Sequence, residues 1–186
     1  VYRVAGEGTK EFSEMKAGDT LEVMGPLGNG FTMKNEKAII IGGGIGIPPM
    51  LELAKQLDAE KTVVLGYRTS TFLKEEFEEV CDVKIATEDG SQGAKGTVID
   101  AIEKYGVEGK VIYACGPMPM LKALAAYAEE HGMEAQISLE ERMACGIGAC
   151  LGCICKSKTK DHHTNVNNTR ICKDGPVFDA KEVVFS

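Results

Sequence analysis

Four of the seven cysteines are spaced for metal chemistry. Cys145, Cys150 and Cys153 follow a C-x4-C-x2-C interval, and Cys172 stands downstream of a polar insertion. This is the spacing of a plant-type [2Fe–2S] ligand set, in which each iron takes two thiolates. Such a centre accepts and gives up electrons one at a time. Gly146, Gly148 and Gly152 lie between the first three cysteines. They permit a positive φ and let backbone N–H groups approach the sulfurs.

A structural zinc site is the competing reading. Zinc sites usually use two C-x2-C knuckles. Here there is one close pair with Cys145 upstream, which favours iron and sulfide. A disulfide framework is not expected, because no secretory signal is read at the start of the chain. Cys155 is expected to be a spare buried thiol. His162 and His163 invite a Rieske or zinc reading, but Asn165, Asn167 and Asn168 beside them suit an exposed loop.

A second chemistry is written in glycine. Ala38-Ile39-Ile40-Ile41 runs into Gly42-Gly43-Gly44-Ile45-Gly46 and then Pro48-Pro49. A strand, a glycine turn and a helix N-terminus together make a phosphate site: glycine allows close approach, and the free N–H groups face the anion. Pro48 and Pro49 suit first-turn helical positions. Pro49 replaces the last glycine of G-x-G-x-x-G, and the alternative is a tight turn without a ligand. A second such turn, Cys115-Gly116-Pro117, follows another apolar run. Gly66-Tyr67-Arg68 follows the second strand where an acidic ribose partner often stands. Arg68 is suited to an adenosine phosphate or to a plain surface, so NAD and NADP both stay open.

The elements that carry these motifs fall into three stretches. Residues 1–36 read as β structure: strands at Val1–Val4 and Thr20–Met24, a turn at Gly6–Lys10, and the Gly25-Pro26-Leu27-Gly28 loop. These strands are too few to close a barrel, so they are expected to be the tail of a larger domain whose beginning is missing. Residues 37–139 alternate strand and helix. Strands are predicted at 38–41, 62–65, 83–86, 111–114 and 135–139, with helices to about Leu57 and over 72–80, 98–105 and 117–131. That pattern implies a doubly wound, parallel five-stranded α/β domain. Residues 140–186 hold the cysteines and show no long helical period.

Bulk composition narrows the class. The net charge of −7 over 186 residues argues against nucleic acid and anionic membrane as partners. No apolar run reaches the roughly 20 residues of a spanning helix. Cysteine use points to a reducing compartment, and hence to the cytoplasm.

The two glycine turns and Gly25-Pro26-Leu27-Gly28 resemble the ferredoxin–NADP reductase superfamily. The stretch Leu139-Glu140-Glu141-Arg142-Met143-Ala144-Cys145 through Cys153, with Cys172-Lys173-Asp174-Gly175-Pro176-Val177-Phe178, is more specific. It resembles the electron-transfer subunits of B-type dihydroorotate dehydrogenases, and the likeness covers essentially the whole chain. The resemblance implies a FAD barrel ending near residue 36, an NAD domain over 37–139 and a [2Fe–2S] module over 140–186. It implies Cys145, Cys150, Cys153 and Cys172 as cluster ligands. Val1, Tyr2, Arg3, Gly8 and Thr9 match segments that contact FAD. Gly42, Gly43, Gly44, Gly46, Cys115, Gly116 and Pro117 are the expected nicotinamide-cofactor residues.

The resemblance further implies a heterotetramer with a catalytic subunit that oxidises dihydroorotate at FMN, in pyrimidine biosynthesis. Electrons then pass through the cluster and FAD to NAD+, and no residue of this chain takes a catalytic role. Cys115 would lie near the nicotinamide. The rival is a sister NAD(P)H–ferredoxin oxidoreductase or sulfide dehydrogenase subunit, whose first ligand is often aspartate; Cys145 argues against it. From another class, a zinc-stabilised binding module without enzymatic activity remains.

Overall fold

A computed structural model of the chain describes residues 1–160 and 165–185. Its centre is a seven-stranded sheet. The strands are β1 (Ala38–Gly43), β2 (Lys61–Tyr67), β3 (Asp82–Thr87), β4 (Ala94–Lys95), β5 (Val111–Cys115), β6 (Glu134–Ser138) and β9 (Val177–Asp179), in the order β4-β3-β2-β1-β5-β6-β9. Strands β4 to β6 along that order pair in parallel, and β9 pairs antiparallel with β6. All five predicted strands are present. The two short ones, β4 and β9, extend the sheet beyond the predicted five.

Strand β1 is buried at every residue, as a central parallel strand covered on both faces must be. Its side chains alternate between two cores. Ala38 and Ile40 join Met50, Leu53, Ala54 and Phe77 on one face. Here lie α2 (Ile47–Gln56) and α3 (Lys74–Glu78). Ile39 and Ile41 join Ala101, Ile102, Leu121 and Leu124 on the other. There lie α4 (Val98–Tyr105) and α5 (Met118–Glu130). Cys153, Ile171, Cys172 and Phe178 belong to this second core, so the cysteine segment packs on the nucleotide fold.

The helix predicted over 72–80 is only the five residues of α3. Leu73, at φ 59°, breaks it upstream. The glutamates at 75, 76, 78 and 79 are exposed, as a solvated face should be.

Residues 1–36 depart from expectation. They contain no strand; their one regular element is α1 (Glu7–Glu14), and Val1–Val4 and Thr20–Met24 are irregular and exposed. A strand needs a neighbour for its N–H and C=O groups. The described hydrogen bonds of residues 1–25 are all local, so no ladder forms.

From Asn29 the chain is anchored. The Asn29 N–H donates to the Gly175 carbonyl (2.7 Å) and its side-chain amide to Val177 (3.1 Å). The Tyr113 hydroxyl accepts from the Lys34 N–H (2.9 Å) and donates to the Thr32 carbonyl (3.2 Å). Gln136 bonds both backbone groups of Thr32. Tyr113→Phe leaves the ring's packing and removes both bonds. It is expected to lower stability by about 1–2 kcal/mol, read as a lower urea midpoint with an unchanged m-value.

Candidate functional site

The cysteine loop is shaped by left-handed residues. Gly146 (φ 69°), Gly148 (φ 81°) and Leu151 (φ 58°) turn the backbone so that successive N–H groups face inward. The Cys150 N–H donates to the Cys145 sulfur (3.4 Å), and Gly152 N–H to the Cys150 sulfur (3.4 Å). Amides of Ile147 and Ala149 also reach Cys145. These contacts, led by the Cys150 N–H, pull the Cys145 thiol down to about 6. These donors favour the thiolate form of Cys145.

A hairpin delivers the fourth cysteine. Strands β7 (Ile154–Lys156) and β8 (Asn168–Arg170) pair antiparallel with Ile154 opposite Arg170. The register sets Cys153 beside α6 (Ile171–Asp174). Ile171 N–H donates to the Cys153 carbonyl (3.0 Å), and Cys172 N–H to the Cys153 sulfur (3.4 Å). The thiols of Cys153 and Cys172 hydrogen-bond, and that contact heads the causes that raise Cys172. The Gly148 N–H also reaches Cys172, and Cys145 lies near enough to act on it electrostatically.

The sulfurs thus gather in twos, Cys145 with Cys150 and Cys153 with Cys172. Among the described residues no three His, Cys, Asp or Glu converge on one point for a single metal ion. Cys145, Cys150, Cys153 and Cys172, with these N–H donors beside them, would hold a [2Fe–2S] cluster, which would supply one-electron exchange. Cys150 is exposed and Cys145 half-buried, whereas Cys153 and Cys172 are buried. Cys155 is half-buried, its thiol pushed up to about 11 chiefly by burial. His162 and His163 lie outside the described residues.

Asp174 fixes the hairpin to α6 and escaped the sequence reading. Its carboxylate accepts from the Arg170 backbone N–H (2.9 Å), from Arg170 Nε (2.9 Å) and from Nη2 (3.1 Å). The i,i+4 spacing of an arginine and an aspartate was the available signal. Asp174→Ala unfastens the segment carrying Cys172. It is expected to speed iron loss to a chelator several-fold, followed as bleaching of visible absorbance.

The glycine turns meet at the centre of the sheet. The chain steps outward from β1 to β4, then returns to β5 on the other side of β1. This reversal opens a crevice at the strands' C-terminal ends. A cavity of about 400 Å³ lies there, lined by Gly43, Gly44, Tyr67, Arg68, Thr97 and Pro117 among others. A Cβ on Gly46 would stand 2.5 Å from the Cys115 carbonyl carbon and 2.6 Å from the Gly116 nitrogen. Only glycine lets the two turns touch. Gly44 sits at φ 53°, and a Cβ there would meet nothing within 4 Å. Cys115 ends β5 half-buried, raised by that burial, and bonds Ser138.

The flavin-segment residues are not joined to either site by any described hydrogen bond. Val1 is 94% exposed, and Tyr2 meets Phe12 edge-on. Gly8 and Thr9 lie in the first turn of α1, not in a hairpin turn. The Thr9 hydroxyl accepts from the N–H groups of Ala5 and Gly6. Leu27 does reach the cysteine loop: a Cβ on Gly146 would lie 3.2 Å from its Cδ1.

Comparison with known proteins bears on both the cysteine loop and the glycine turns. Residues 140–184 match the model of the iron–sulfur cluster binding domain of dihydroorotate dehydrogenase B, and residues 40–126 an oxidoreductase NAD-binding domain. The dihydroorotate dehydrogenase B (NAD(+)) electron transfer subunit of Caldanaerobacter subterraneus subsp. tengcongensis is 49% identical over 100% of this chain and 74% of its own length. The chain belongs to that family. Its Fusobacterium nucleatum member is 45% identical over 98% of this chain and 73% of its own length. A solved structure from work on flavin-based electron bifurcation, the NADH-dependent reduced ferredoxin–NADP oxidoreductase, matches with a TM-score of 0.85 at 33% identity. It covers 98% of this chain and 67% of that one. The dihydroorotate dehydrogenase B relatives thus exceed the sister reductase in identity, and the reductase-like fold carries the flavin assignment. Among the described residues no helix is long and apolar enough to cross a membrane.

Proposed function

We propose that this chain carries electrons from a catalytic partner subunit, which oxidises dihydroorotate at FMN in a cytoplasmic heterotetramer, to NAD+. A [2Fe–2S] cluster exchanges single electrons, nicotinamide takes a hydride, and a flavin does both. Cys145 and Cys150 hold one iron, and Cys153 and Cys172 the other. The inward amides of the 147–152 loop orient on the sulfurs and tune the centre. Gly42, Gly43, Gly44 and Gly46, with the N-terminus of α2, receive the NAD diphosphate. Cys115, Gly116 and Pro117 form the opposing wall. Val1, Tyr2, Arg3, Gly8 and Thr9 contribute to FAD binding, within a flavin portion up to residue 36. The NAD portion then spans 37–139 and the cluster portion 140–186.

The observation that carries this reading is the pairing of four thiols in twos on a loop packed against a nucleotide crevice. Anaerobically purified protein is expected to contain about two irons and two labile sulfides per chain. With the catalytic subunit it should reduce NAD+ at the expense of dihydroorotate, and not with ferredoxin or polysulfide as donor. Zinc without labile sulfide, or activity with ferredoxin alone, contradicts the reading.

A further inference from the structure

The crevice beside the glycine turn is lined by two opposite charges, Arg68 and Glu88. No acidic residue directly follows β2, where the ribose partner of a dinucleotide commonly stands. The neighbouring strand supplies one. Tyr67 pairs with Thr87 at the end of β2 and β3, so Arg68 and Glu88 leave the sheet at the same height. The Glu88 N–H donates to the Tyr67 carbonyl (3.1 Å), and the Asp89 N–H to the Arg68 carbonyl (3.4 Å). These bonds hold the two segments side by side past the last ladder pair. Gly43, Gly66 and Ala86 share one register row. At about 4.8 Å per strand, β3 stands about 10 Å from the phosphate turn. The adenosine ribose, bonded directly to the diphosphate, falls within that distance. Both side chains are exposed, and neither takes part in an ion pair among the described residues.

We propose that Glu88 selects NAD over NADP. Its carboxylate accepts hydrogen bonds from the adenosine ribose hydroxyls and repels a 2′-phosphate. Arg68, on its own, attracts that phosphate. The selection is therefore made by a repulsive group set against an attractive one. The inference rests on the nucleotide reading of this crevice.

Two adenosine fragments test it by isothermal titration calorimetry on the full chain: 5′-ADP, and 2′,5′-ADP, which adds the phosphate that distinguishes NADP. The unsubstituted protein is expected to bind 5′-ADP more tightly. Glu88→Gln should move the ratio of the two affinities about tenfold toward 2′,5′-ADP. Adding Arg68→Gln should cancel most of that gain. Circular dichroism confirms that the variants are folded. If both fragments bind and Glu88→Gln leaves their ratio unchanged, or if the unsubstituted protein already prefers 2′,5′-ADP, Glu88 is not the selector. If neither fragment binds, the nucleotide reading itself fails and takes the proposal with it.

Discussion

Cys150→Ser is expected to abolish cluster retention while leaving the fold intact. Cys150 is the most exposed of the four thiols, and its sulfur makes few contacts: the Gly152 amide donates to it, and Cys145 lies alongside. Its loss removes little packing, so apo variant and apo parent should differ in stability by less than about 0.5 kcal/mol. One iron nevertheless loses half of its protein ligands. Iron and labile sulfide should fall to background, and NAD+ reduction by dihydroorotate should fall with them. Metal analysis and visible absorbance read the first, a coupled assay the second. A serine variant that keeps its full iron would remove Cys150 from the ligand set and leave the paired-thiol account without support.

The next largest effect belongs to Gly46→Ala. The added methyl meets backbone on the far side of the sheet reversal, at Cys115 and Gly116. Backbone cannot rotate aside as a side chain does, so the two turns must part. A cost of about 1–3 kcal/mol is expected, measured as a fall in denaturation midpoint. Separating the turns also spoils the phosphate cradle, so NAD affinity should fall by more than the stability change alone implies. Gly44→Ala is the control for stability alone. No atom lies within 4 Å of its Cβ, so only the positive φ is penalised, at about 1 kcal/mol.

How much of this was legible beforehand follows from the range of each interaction. The cysteine interval was legible because its first three members are local. Which thiols pair was not, because Cys172 reaches Cys153 only through the register of the β7–β8 hairpin. The glycine turn after β1 could be read as a phosphate site. The reason position 46 tolerates nothing larger could not, since the obstacle is supplied by β5. Strands β1, β2 and β5 announce themselves through apolar runs, and β3 and β6 through alternation. Two-residue β4 and three-residue β9 are too short to show a period. Thr20–Met24 shows the opposite failure: it alternates like a strand, yet finds no ladder partner among the described residues. Glu88 was hidden because its neighbour in space, Arg68, lies on a different strand.

Strand β9 lies beyond the last cysteine yet zips onto β6, which precedes the first. The metal-binding loop is thus a closed excursion, with both feet planted in one sheet. During synthesis β6 emerges with a bare flank that stays open until Val177–Asp179 leave the ribosome. Such a flank invites pairing with other chains. Nascent chains halted before Val177 should aggregate where those completed past Asp179 remain dispersed, a difference that sedimentation can measure.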